Sequence, residues 1–230
     1  MESTFPQQLT RFMFANEQHK TYDSKDIHKH PWVKFRSSWA RYTELVNIIK
    51  TVNWPEGEYN TFSDSSIKCC ELYTIKDWNM YKQANNHPTP ELFEAIGCDV
   101  TSAFADHAGI IHDLMQFLPF DRYFRIHVNI LPPGGFLLPH KDWHVGSYSH
   151  GLRHKITMAL NLPDGFAFKL WGAGAVPLEE ARPIAINTSD FLHAVVNDSN
   201  EDRYMLHVKG LPNDPVAYEQ FLSTQNLDCF

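Results

Sequence analysis

Cysteine is scarce in this chain: four in 230 residues, at positions 69, 70, 98 and 229, with no Cys-x-x-Cys pair. Cys69 and Cys70 are adjacent, too close for an ordinary bridge, so no disulfide framework is expected and reduced thiols in a cytoplasmic setting are. Long apolar runs are missing as well. Nowhere do 18 apolar residues follow one another, which excludes a helical membrane span, and the opening MESTFPQQLTRF lacks a basic stretch ahead of an apolar one, so no secretion is expected. Positive charge is in deficit, 20 Lys and Arg against 27 Asp and Glu for a net charge of −7, which argues against a nucleic-acid binder driven by backbone contacts. No internal repeat is visible, and no biased segment is long enough to read as disorder.

What is present is an ordinary globular composition, 43% hydrophobic and 20% charged, with a high aromatic share of 13% gathered in stretches such as YFRIHVNIL and GFAFKLW. The length suits one domain: a helical and irregular region over 1–118, a β-rich core over 119–211 and a tail over 212–230. Residues 1–38 are polar and punctuated and read as an irregular lead-in. SSWARYTELVNIIKTVNW then predicts a helix capped by Ser37 or Ser38, with Tyr42, Leu45, Val46, Ile48 and Ile49 on one face. SIKCCELYTI offers a strand. Thr89-Pro90-Glu91 predicts a helix start, stopping near Gly97, and another helix should run from Ser102 or Asp106 to Phe117.

After Pro119 the period changes to alternation. Six runs read as strands, 123–131, 155–162, 165–171, 183–188, 191–197 and 203–210, separated by Pro, Gly, Asn or Asp. The pattern predicts an α+β, mainly β fold: a double-stranded β-helix (jelly-roll, cupin-like) core with the N-terminal helices packed on one sheet. NDPVAYEQFLSTQ, 213–225, offers a final helix.

Chemistry concentrates in LPPGGFLLPHKDWH, 131–144. Its prolines and glycines forbid a helix, and in extended chain His140 and Asp142 point to the same side, so an imidazole and a carboxylate can converge on one ion. His193, 53 residues downstream in DFLHAVVN, is the candidate third ligand, with His207 its rival. Two histidines and one carboxylate leave three of six octahedral positions open, the facial arrangement suited to non-haem Fe(II) and oxygen. Arg203 follows His193 by ten residues, and a symmetric hairpin about Asp198 would pair the two on one face.

His140-x-Asp142, His193 and Arg203 together resemble the Fe(II)/2-oxoglutarate-dependent dioxygenase superfamily, and the surrounding text resembles its aspartyl/asparaginyl β-hydroxylase group, which includes free-proline hydroxylases. The resemblance covers Tyr123 to Gly210. It implies Fe(II) held by His140, Asp142 and His193, 2-oxoglutarate as cosubstrate with its distal carboxylate on Arg203, and O2 as oxidant. It also implies that Lys155 and Thr157 help to hold 2-oxoglutarate where the family has Arg-x-His; lysine keeps the charge but not the planar fork. Trp143, His144, Arg125 and His127 are candidates for contact with a small-molecule or peptidyl substrate. Two other readings stay open: a cupin-like metal dioxygenase or isomerase that does not use 2-oxoglutarate, and a non-catalytic jelly-roll binding module.

Overall fold

A computed structural model of the chain describes residues 27–53, 67–76, 96–142 and 154–225. Its strands are β1 (Trp32–Lys34), β2 (Lys68–Ile75), β3 (Cys98–Val100), β4 (Arg122–Leu131), β5 (Phe136–His140), β6 (Lys155–Ala159), β7 (Phe166–Leu170), β8 (Gly174–Ala175), β9 (Pro183–Ile186), β10 (His193–Asn197) and β11 (Arg203–Leu211). The helices longer than two turns are α1 (Tyr42–Thr51), α2 (Ala108–Phe117) and α3 (Pro215–Ser223).

The strands form two antiparallel sheets, a larger one in the order β1-β9-β6-β11-β4-β2-β3 and a smaller one in the order β5-β10-β7-β8. From β4 onward the chain passes between sheets: β4 large, β5 small, β6 large, β7 and β8 small, β9 large, β10 small, β11 large. That winding is a double-stranded β-helix, extended on the large sheet by β1, β2 and β3.

Alternation decides what each face of the large sheet does. Leu72 of β2, Ile126 and Val128 of β4, Ile156 and Met158 of β6, and Leu206 and Val208 of β11 join Leu45 and Ile49 of α1, Ile110, Ile111 and Leu114 of α2, and Tyr218 and Leu222 of α3 in one core. The helices therefore cover one face of one sheet, as the pattern predicts. The opposite face meets the small sheet across a second core that includes Leu131, Ile184, Ile186, Phe168, Leu170 and Val195. On that inner face β11 presents Arg203, Met205, His207 and Lys209, β4 presents Arg125 and His127, and β6 presents Lys155 and Thr157.

Three expectations are corrected. β1 is an unexpected strand inside the lead-in, held by pairing Trp32 with Ile186 and Lys34 with Ile184. Helix α1 starts later than a Ser37 or Ser38 cap would allow, with Arg41 at its N-cap and no side-chain cap bond. The reason is that Phe35 and Trp39 still donate backbone bonds to Pro183 and Ala181, keeping this stretch along the sheet edge until residue 39. Finally, β10 and β11 are not a hairpin: β10 pairs with β5 and β7, whereas β11 pairs with β4 and β6. Asn197 sets this crossover, its side-chain amide donating to the carbonyls of Leu131 and Glu201, both at 2.8 Å, while its own backbone bonds Gly134 and Gly135.

The tail helix forms as expected, with Asp214 accepting from the N–H groups of Val216 and Ala217 at 2.9 and 3.0 Å and Pro215 leading the first turn. The helix expected from Thr89 to Gly97 lies largely outside the described residues.

Candidate metal centre

His140 ends β5 and is paired across to His193, the first residue of β10. Between that pair and the next, Leu137 with Val195, β5 carries an extra residue, a bulge. Without it Leu137 and His140, three apart, would point to opposite faces; with it both face inward, Leu137 into the apolar core and His140 to its mouth. Leu138, on the bulge, is exposed.

The His140 ring is turned by its Nδ1, which donates to the Leu138 carbonyl at 2.7 Å and aims Nε2 at the place an ion would take. His193 is buried beside Phe168, ring centroids 5.7 Å apart, and stands 4.1 Å from the His140 ring. Asp142 lies just past β5, its N–H donating to the Thr188 carbonyl at 3.0 Å. Its Oδ2 is taken by the Thr188 hydroxyl at 2.5 Å and the Lys155 ammonium at 2.8 Å. Oδ1 faces both imidazoles, 3.6 Å from His140 Nε2 and 3.7 Å from His193 Nε2.

One ligand atom from each of the three residues lies within 4.8 Å of the others. Bonds of about 2.1 Å on one face of an octahedron bring ligand atoms to roughly 3 Å, so a small contraction closes the site on a divalent ion. Electrostatics favours uptake. Burial opposes charge on Asp142, but Lys155 and the two histidines outweigh it and hold the carboxylate well below the usual range, so it is ionised. Burial pushes His193 down to about 3 against the pull of Asp142, so this ring is neutral and ready to ligate. His140 is raised, chiefly by Asp142, with the Leu138 carbonyl adding to the shift.

Arg203 opens β11 on the inner face of the other sheet, its guanidinium 4.2 Å above the Phe166 ring. It is 3% exposed, and Nε and Nη2 meet no acceptor among the described residues. Burial alone pushes it down to about 9. A buried cation with unfilled donors is the mark of an absent anion. The donor set and this orphaned fork together fit a divalent metal and a dicarboxylate between the sheets.

The other sequence candidates divide. Lys155 is committed to Asp142, and the Thr157 hydroxyl lies 3.1 Å from His207 Nδ1. His207, the rival ligand, is on the other sheet and stacks on His127 at 5.0 Å; burial pushes both rings well below their ordinary value, so they form a neutral floor. Arg125 is engaged by Glu71, with Nε at 2.9 and 3.0 Å from its two oxygens. Trp143 and His144 lie outside the described residues. Sequence reading missed Thr188; a lone hydroxyl ending the apolar run PIAINT was the available signal.

No protein-family model matches the chain, and no curated protein matches it. Several solved structures are similar. A prolyl hydroxylase from Trichoplax adhaerens, in complex with a hypoxia inducible factor oxygen degradation domain peptide fragment, shares 12% identity over 94% of this chain and 97% of that one, with a TM-score of 0.46. A prolyl-4-hydroxylase from Pseudomonas putida shares 13% over 82% and 96%, TM-score 0.44. A viral collagen prolyl hydroxylase from Paramecium Bursaria Chlorella virus-1, in its 2OG complex, shares 11% over 80% and 97%, TM-score 0.43. All three are prolyl hydroxylases, and none of them is an aspartyl or asparaginyl hydroxylase.

Proposed function

We propose that this protein is a non-haem Fe(II)/2-oxoglutarate-dependent hydroxylase acting on an unactivated C–H of an amino acid, a peptidyl side chain or a small metabolite. The observation that carries the reading is the coincidence, in one inter-sheet space, of the His140, Asp142 and His193 set with the buried guanidinium of Arg203, which meets no acid among the described residues. A metal enzyme without a dicarboxylate cosubstrate has no use for that orphaned fork, which weighs against the cupin-like alternative.

When bound, iron with 2-oxoglutarate and O2 supplies an oxidation of C–H coupled to oxidative decarboxylation of the cosubstrate to succinate and CO2. The chain's own share is positioning. His140 and His193 present Nε2 and neutral Nε2, respectively, and Asp142 presents Oδ1, while Thr188 and Lys155 fix the carboxylate by holding Oδ2. Arg203 meets the distal carboxylate of 2-oxoglutarate with a planar fork, and Phe166 beneath it keeps the contact dry. Phe168, Val195 and Leu131 exclude water from the space between. Thr157 orients His207 on the inner face of the large sheet.

The test is succinate formation from 2-oxoglutarate on addition of Fe(II), compared between the wild type and Asp142→Ala. Iron-dependent succinate that vanishes in the variant supports the reading. Metal binding without affinity for 2-oxoglutarate would replace it with the cosubstrate-free metal enzyme, and failure to bind a divalent metal with the binding module. The described residues contain no helix long and apolar enough to cross a membrane, and we place the activity in the cytoplasm.

A further inference from the structure

Lys209 is paired directly across from Arg125 on β4 and directly across from Lys155 on β6, so three cations stand side by side on the inner face of three neighbouring strands. Directly opposed like charges, with backbones only about 5 Å apart, destabilise a sheet. The outer two are compensated. Lys155 has Asp142 at 2.8 Å, and the guanidinium of Arg125 is seated on Glu71. The middle one is not: among the described residues no carboxylate lies within ion-pair distance of the Lys209 ammonium.

Lys209 is also the member of the row open to solvent. Desolvation by the surrounding strands, followed by repulsion from Arg125 and Lys155, lowers its pKa to about 8, and it remains cationic at neutral pH. The row lies at the end of β11 remote from Arg203, six residues or about 20 Å of strand away, so one small dicarboxylate on the metal does not span both cations. The metal ligands reach the row through Lys155, which touches Asp142. Four cations, Arg203, Lys155, Lys209 and Arg125, thus face two carboxylates, Asp142 and Glu71, and the unmatched charges sit at opposite ends.

We propose that Lys209 anchors a carboxylate of the substrate, so that the substrate class of the hydroxylase is a carboxylic acid, supplied by a free amino acid or by a peptide. This deepens the function proposed above and rests on it in taking the bound acid as substrate. Lys155 and Arg125 take no direct part; they hold their own carboxylates and leave the centre of the row to the incoming one. A second negative group on the substrate is not required, because only one cation at this end lacks a partner.

The experiment uses the full chain loaded with Zn(II), which does not turn over, with saturating 2-oxoglutarate. The common L-amino acids and their N-acetyl derivatives are titrated calorimetrically, each beside its carboxamide. In the wild type at least one acid should bind roughly tenfold or more tightly than its amide. In Lys209→Gln the preference should fall below about twofold, and Lys209→Arg should restore it. The free or N-acetylated form of the preferred acid identifies its source as amino acid or peptide. The proposal is overturned if no acid is preferred to its amide, if Lys209→Gln keeps the preference, or if Lys209→Gln weakens 2-oxoglutarate as much as it weakens the acid. Should the wild type fail to bind 2-oxoglutarate at all, the hydroxylase reading falls, and the acid-against-amide comparison on the metal-loaded chain still decides the role of Lys209.

Discussion

Replacing Arg203 with methionine should stabilise the ligand-free protein while crippling its use of 2-oxoglutarate. The guanidinium is enclosed, meets no acid among the described residues and is pushed down to about 9 by burial alone. At about 1.4 kcal/mol for each pH unit below its free value, the charge costs the ligand-free fold on the order of 5 kcal/mol as a ceiling. Methionine fills most of the volume, and losing the contact over Phe166 gives back about 1 kcal/mol. Buried ions replaced by apolar side chains commonly gain about 1–4 kcal/mol. For a domain of this size that is a rise in Tm of several degrees, at about 2–4 °C for each kcal/mol. The ligand side moves the other way. Truncating one partner of a buried, hydrogen-bonded charge pair costs about 2–5 kcal/mol, so 2-oxoglutarate should bind roughly 30-fold to several-thousand-fold more weakly. Thermal unfolding of the metal-free protein and calorimetric titration of 2-oxoglutarate onto the Zn(II) form measure the two effects. A variant that is less stable and binds 2-oxoglutarate as before would refute the reasoning, because Arg203 would then be serving the fold.

Metal uptake should release at most one proton from the three side chains, that of His140, because its ring is raised by Asp142 while His193 sits near 3 and is already neutral. Affinity should therefore fall as pH drops through the raised His140 value; calorimetry in buffers of different protonation enthalpy counts the protons, and two released would contradict the assignment. Gly210→Ala should destabilise by about 1–3 kcal/mol in urea unfolding, since an added Cβ would come 2.7 Å from the Arg122 carbonyl and 2.6 Å from the Phe120 ring. Asn197→Ala strips two carbonyls of a buried donor and should cost about 2 kcal/mol or more. Because Asn197 sets the path from His193 to Arg203, the KM for 2-oxoglutarate should rise as well; an unchanged KM would detach the crossover from cosubstrate binding.

The approach of His140 to Asp142 was legible because its constraints are local. Prolines and glycines around 131–139 rule out a helix, and extended chain then puts His140 and Asp142 on one side. The jelly roll was legible from the number and period of the strands, and the covered face from the amphipathic helices. What resisted reading depends on which strands are neighbours. Nothing in VVNDSNED distinguishes a hairpin from a crossover, since the same turn residues serve both; the inward aim of Arg203 survives only because alternation along β11 is independent of its partner. The Lys155 contact with Asp142 joins residues 13 apart through a segment that no pattern describes. The row of Lys155, Lys209 and Arg125 is set by register across three strands, and register is invisible in a single sequence. β1 is too short, at three residues, to display a period.

Among the described residues strand β5 is hydrogen-bonded to β10 alone, whereas β10 has a neighbour on each flank. Of the three candidate ligands, His140 therefore belongs to the rim of the small sheet, Asp142 to the chain just past that rim, and His193 to the sheet's interior. An ion gripping all three acts as a rivet through that rim, fastening the outermost strand to the one behind it. Chelation should then loosen the amides of Phe136–His140 towards exchange with solvent while those of His193–Asn197 stay protected, so that loading with metal is a matter of local order as much as of chemistry.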